Sequence, residues 1–137
     1  MTLLVSTLPV TTIKNESIKS TTSSKPILKY QVLSASSTKA EYKEALAEVF
    51  GADFIPTIEC ESHFRHYNKD GSVLRSLRNT DGSYDWSWLQ LNDIHRPIAK
   101  QLGIVWEKMT PAQAVEIAIE VMRLQGKTAW VCFIKTK

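Results

Sequence analysis

Residues 111–125 constrain most tightly what this chain can fold into. Thr110-Pro111-Ala112-Gln113 combines an N-cap threonine, a proline at the first helical position and a capping-box glutamine. The helix that it opens carries Ala114, Val115, Ala118, Ile119, Val121 and Met122, and Gly126 can stop it. An apolar face this broad must pack against other elements, so the spacing predicts a core helix rather than a surface one. Thr38-Lys39-Ala40-Glu41 is a second capping box; Tyr42, Leu46 and Val49 or Phe50 follow at helical spacing, up to Gly51. A third, short helix is expected to run from an N-cap at Asp53 to Ser62, with Pro56 in its first turn and Phe54, Ile55 and Ile58 as its apolar stripe. A fourth starts at Asn92 or Asp93, with Pro97 in its first turns, Ile98, Ala99 and Leu102 on its apolar face, and Gly103 at its end.

The middle of the chain reads differently. Asn68-Lys69-Asp70-Gly71 and Thr80-Asp81-Gly82 are turn signals. Ser72-Val73-Leu74-Arg75 between them reads as a short strand, and Tyr84-Asp85-Trp86-Ser87-Trp88 as a second strand or an extended rim. The fold class is therefore α+β, mainly α, with a small β element on a helical body. No internal repeat is expected. Residues 1–37 form a Ser/Thr-rich tail or linker, within which 27–33 reads as a short strand or a docking segment; residues 38–137 form the folded domain. Asn15-Glu16-Ser17 fits a glycosylation sequon. Thr2-Leu3-Leu4-Val5 is too short, and lacks the basic flank, to read as an export signal.

A formal net charge of +3 suits adhesion to an anionic polymer, but with no dense Lys/Arg block nucleic acid is not the expected partner. No apolar run reaches transmembrane length. Two cysteines cannot form a cysteine-only zinc site; Cys60 and Cys132 are either free thiols or one disulfide. His63 and His66 lie close together, but His95 is far along the chain, so no metal and no cofactor are expected.

The residue with the most chemistry is Glu61. It lies three positions after Ile58, on the edge of the apolar stripe of a short helix. Desolvation there disfavours the charged carboxylate, which is what a general acid needs, although most helix carboxylates are simply solvated. Glu59 is rotated toward water. Asp81, Asp85 and Asp93 could hold a second carboxylate role, with Asp85 the best placed; turn and cap chemistry is the ordinary use of each.

Cys60-Glu61-Ser62, then Ser87-Trp88-Leu89-Gln90-Leu91-Asn92, then Trp130-Val131-Cys132 stand in an order that resembles the lysozyme-like domain of soluble lytic transglycosylases and goose-type lysozymes, most closely short bacterial versions. The resemblance covers roughly residues 38–133. It implies a monomeric peptidoglycan lytic transglycosylase outside the cytoplasm, cleaving the β-1,4 bond between N-acetylmuramic acid and N-acetylglucosamine. Glu61 would be the acid and then the base, leaving 1,6-anhydro-muramyl ends. It also implies a Cys60–Cys132 disulfide, which would contribute about 4 kcal/mol on the chain-entropy account. Glycan contacts are expected from Ser62, Tyr67, Tyr84, Asp85, Trp86, Trp88, Gln90 and Asn92, while Trp106 and Trp130 are assigned to the core. The alternatives are a muramidase that uses water, on the same fold and acid, and a wall-binding module without turnover. Two positions depart from the family: Ser87 stands where it has Gly, and Ala114 where it usually has Asn.

Overall fold

The computed structural model describes residues 25–135. A 3-10 turn at Lys29–Val32 precedes α1 (Lys39–Phe50) and α2 (Ile55–Ser62). An irregular segment leads to a hairpin of β1 (Asp85–Trp86) and β2 (Leu91–Asn92), followed by α3 (Arg96–Gln101), α4 (Pro111–Gln125) and α5 (Val131–Lys135). The architecture is mainly α with one two-stranded antiparallel sheet, the class expected. Among the described residues, no helix is long and apolar enough to cross a membrane.

Both capping boxes form. Thr38 Oγ1 accepts the Glu41 N–H at 3.1 Å and Glu41 Oε1 accepts the Thr38 N–H at 2.7 Å. Thr110 and Gln113 make the same pair of bonds at 3.1 and 3.0 Å. Asp53 departs from expectation. A 3-10 turn, Ala52–Phe54, precedes α2, and Asp53 pairs with Lys127 at 2.9 Å instead of capping the helix. Pro56 does sit in the first turn of α2, where no intrahelical N–H bond is lost.

The core forms around Trp88, which is fully buried. Tyr42 of α1 meets it edge-on at 4.8 Å, and Phe64 lies 6.1 Å away. Its Nε1–H donates to the Pro111 carbonyl at the start of α4 at 3.1 Å. One side chain thus ties α1, the turn after α2 and α4 together. The buried face of α4 comprises Ala114, Val115, Ile117, Ala118 and Val121, whereas Ile119 is exposed; the stripe is rotated from the expected one toward Ile117. Upstream of α1, Tyr30 and Leu33 are buried in the same core, and the Lys29 N–H donates to Glu48 at 2.7 Å. Residues 27–33 therefore dock, without forming a strand, so the packed body includes residues ahead of Thr38. The tract up to Ser24, with its short apolar start and sequon, lies outside the described residues.

Between α2 and β1 the expected strand at 72–75 reduces to isolated bridges, Tyr67 with Val73 and Arg75 with Trp86. The segment instead contains the same turn twice. In Asn68-Lys69-Asp70-Gly71-Ser72, Asp70 Oδ1 accepts the Ser72 N–H at 3.0 Å and the hydroxyl at 2.6 Å, and the Asn68 N–H donates to the Ser72 carbonyl at 2.8 Å. In Asn79-Thr80-Asp81-Gly82-Ser83 the corresponding distances are 2.9, 2.6 and 2.8 Å. This repeated Asn-x-Asp-Gly-Ser turn is an internal repeat that sequence reading missed; it was legible in the letters.

Candidate functional site

Glu61 is the penultimate residue of α2. The helix stops because His63 and Phe64 both adopt left-handed backbone, at φ 54° and 61°. Ser62 secures that stop. It is buried, its hydroxyl donates to the Trp88 carbonyl, and its oxygen accepts the Phe64 N–H at 3.2 Å. The Glu61 Oε2 accepts the Cys132 N–H at 3.0 Å in the first turn of α5. α5 is held there by two further links. Cys132 is disulfide-bonded to Cys60, next to Glu61 in sequence, and the Trp130 Nε1–H donates to the Leu89 carbonyl at 2.7 Å.

Asp85 is on β1 of the hairpin. It pairs in register with Asn92 across the hairpin. The Asn92 side-chain amide donates to Asp85 Oδ1 at 2.9 Å, and the Asn79 amide donates to Oδ2 at 3.2 Å. Both carboxylate oxygens thus accept an amide N–H.

Glu61 and Asp85 line one cavity of about 50 Å³, together with Gln90, Asn92, His95, Ala129, Trp130 and Val131. Glu61 and Gln90 also line a depression of about 270 Å³, and Asp85, Asn92 and His95 also line another of about 690 Å³. Through these shared residues the three adjoin as one groove, and both carboxylates line its smallest part, the waist. Asp81 also borders the groove, but its carboxylate is used within its own turn. Asp93 is used elsewhere, bonding the Tyr84 N–H, the Trp86 indole and Arg96. Burial pushes Asp93 up, yet these donors outweigh it and hold the acid below the usual carboxylate range.

The expected glycan contacts divide. Gln90 and Asn92 line the waist, and Ser62 the 270 Å³ depression. Trp88 offers no face to a ligand, because it is wholly inside the core. Tyr67 packs partly into the core, edge-on to His66 at 4.5 Å. Trp86 borders a separate depression with Asn68, Ser72, Val73 and Arg75, and its ring lies between the Arg75 and Arg96 guanidiniums at 5.7 and 5.5 Å. Tyr84 carries Arg75 over its ring at 4.2 Å. Trp106 is buried, as assigned; Trp130 is buried too, but it also backs the waist.

Ser87 is at φ 73°, the left-handed backbone that suits the glycine of the family motif. Here its hydroxyl oxygen accepts the Leu89 N–H at 3.1 Å, which offsets part of the strain. The histidines play separate roles. His63 bonds Glu59 at 2.9 Å, His95 borders the groove, and His66 is an internal strut. Its Nδ1 accepts the Trp88 N–H at 3.4 Å while its Nε2–H donates to the Met109 carbonyl at 2.8 Å, so its partners select one neutral tautomer. Burial brings His66 down to about 4, and burial also lowers His95, against the opposing charge of Asp85. Sequence reading missed His95, Asn79, Arg65 and Arg75 as groove residues; nothing in local spacing distinguishes them from loop polar groups. Comparison with protein-family models, with curated proteins and with solved structures gives no match, so the functional reading rests on the groove and on the motifs themselves.

Proposed function

We propose that this chain is a peptidoglycan-cleaving muramidase that cuts the β-1,4 bond between N-acetylmuramic acid and N-acetylglucosamine with water. The observation that carries this reading is that Glu61 and Asp85, from different elements, both line one small cavity, and that each also lines a larger neighbouring depression. A glycosidic oxygen leaves only when protonated, and positive charge then develops at the sugar. Glu61 is the acid. Asp85, held by two amides, faces the developing charge or the incoming water. The lytic transglycosylase reading needs only the Glu; a second fixed carboxylate favours hydrolysis over attack by the substrate's 6-hydroxyl. The Cys60–Cys132 disulfide supports a working place outside the reducing cytoplasm.

The test is mass spectrometry of fragments released from purified peptidoglycan by the wild type, Glu61→Gln and Asp85→Asn. Reducing muramyl ends that disappear with Glu61→Gln and fall at least about a hundredfold with Asp85→Asn are expected. Anhydro-muramyl ends would instead assign Glu61 both proton transfers and remove Asp85 from the chemistry. No release, with wall binding retained, would leave a binding module.

A further inference from the structure

We infer that the Cys60–Cys132 disulfide is a redox switch on the candidate site: the oxidised chain holds α5 against Glu61, and reduction by a dithiol releases α5 and unseats the acid. This inference rests on the glycan-cleaving reading above and adds how that site is turned on and off.

Both ends of the bond are tied to Glu61. Cys60 precedes it in α2, and the partner cysteine is the residue whose N–H donates to Glu61 Oε2 at 3.0 Å. One covalent bond therefore spans the same two elements as the hydrogen bond on the acid. The segment that it fixes also encloses the site: Ala129, Trp130 and Val131 line the small cavity with Glu61 and Asp85. α5 is five residues long, too short to persist as a helix without docking. Of its residues, Val131 is 62 % exposed, and Phe133, 6.2 Å from Phe54, is only partly buried. The buried Trp130, with its bond to the Leu89 carbonyl, and the ion pair of Lys127 with Asp53 both lie ahead of the helix. A break at Cys132 thus frees α5 while the turn before it stays docked.

The two cysteines differ in access. Cys60 is exposed on α2, whereas Cys132 is buried. Exposed disulfides are the ones that exchange readily with thiols. A thiolate of a dithiol reductant attacks the Cys60 sulfur, the S–S bond breaks, and Cys132 leaves as a thiolate that takes up a proton. The second thiolate of the reductant then attacks the reductant's own sulfur in the mixed disulfide and expels the Cys60 thiolate, which is protonated in turn. Two electrons and two protons pass to the protein, and the reductant becomes a disulfide. The reverse exchange with a disulfide-bearing oxidant restores the bond. The chain is therefore latent in a reducing compartment and becomes competent where disulfides form.

The test measures fragment release from peptidoglycan and amide hydrogen exchange in three states: the oxidised chain, the chain reduced with dithiothreitol, and the same sample returned to the disulfide with oxidised glutathione. Cys60→Ser/Cys132→Ser serves as the permanently open form. Reduction is expected to slow release by about tenfold to a hundredfold, the loss that a small misplacement of a catalytic group brings. Reoxidation should restore it, and the double Ser variant should respond to neither reagent. Exchange decides whether the change is local: on reduction the Cys132 and Phe133 amides should lose protection while those of Leu46 and Val121 in the core keep theirs. Loss of protection throughout would make the bond a global staple, and a protected α5 in the reduced chain would leave nothing to switch; either overturns the inference, as does equal or faster release by the reduced chain. Exchange needs no turnover. If neither form releases fragments, a local loss of protection would keep the switch on the cavity and discard the enzyme; release that ignores the bond would do the reverse.

Discussion

Acid is expected to loosen this protein through His66 well before its carboxylates matter. The side chain is only 2 % exposed, accepts a backbone N–H at Nδ1 and donates from Nε2 to a carbonyl. Protonating Nδ1 would set N–H against N–H in a buried place. The native imidazole therefore stays neutral down to about 4, against an ordinary value of 6.5. The unfolded chain binds the proton first as pH falls, so the stabilisation is complete above 6.5 and disappears progressively toward 4. The gap, at about 1.4 kcal/mol per pH unit, amounts to about 3 kcal/mol, of which about 2 is lost by pH 5. His95 acts in the same direction, while the exposed acids Asp70 and Asp81, held low by their serine donors, stabilise fully above the ordinary carboxylate range and lose that contribution only as pH falls through it. Urea unfolding at pH 7.5 and 5.0 measures the loss, and His66→Gln, although less stable, should show a distinctly flatter pH dependence. A native His66 imidazole that titrates above pH 6 by NMR, or equal pH slopes in the two proteins, would refute the reasoning.

Removing the disulfide as Cys60→Ser/Cys132→Ser releases a loop spanning 72 residues and should cost about 4 kcal/mol, read as a fall in urea midpoint; an unchanged midpoint would mean that packing at Trp130 alone holds α5. Thr110→Ala removes the N-cap of α4 and should cost about 1 kcal/mol in the same assay. Ala114→Asn places an amide at a fully buried position, so a loss of about 2 kcal/mol or more is expected. Wild-type stability in that variant would show that α4 has room for a polar side chain on its inner face.

The helices were legible because their starts and stops are chemical: Thr38 with Glu41, Thr110 with Gln113, and glycines at 51 and 126 each act within a few residues. Asp53 was misread for the same local reason. Its letters fit a cap, but Lys127, 74 residues away, takes its carboxylate. Glu61 stood out through its stripe and its neighbours. Its partner, the Cys132 N–H, is 71 residues distant and has no local signature. Aromatic residues were the hardest to place: Trp86 and Trp88 are two apart in an extended segment, and only the packing of the whole core decides that one is buried and the other bordered by arginines.

The two Asn-x-Asp-Gly-Ser turns give the groove an order of assembly. Each completes its bonds within five residues, and the hairpin that carries Asp85 spans only eight, so this wall needs little loop closure. The part of the site that holds Glu61 is complete only after α5 has returned across more than seventy residues to reach it. Pulse-labelled hydrogen exchange during refolding should therefore protect the Ser72 and Ser83 amides before that of Cys132, and simultaneous protection would contradict this order. A chain folding in this order fixes Asp85 early and Glu61 last, so the two carboxylates come to share a cavity only when the fold is complete.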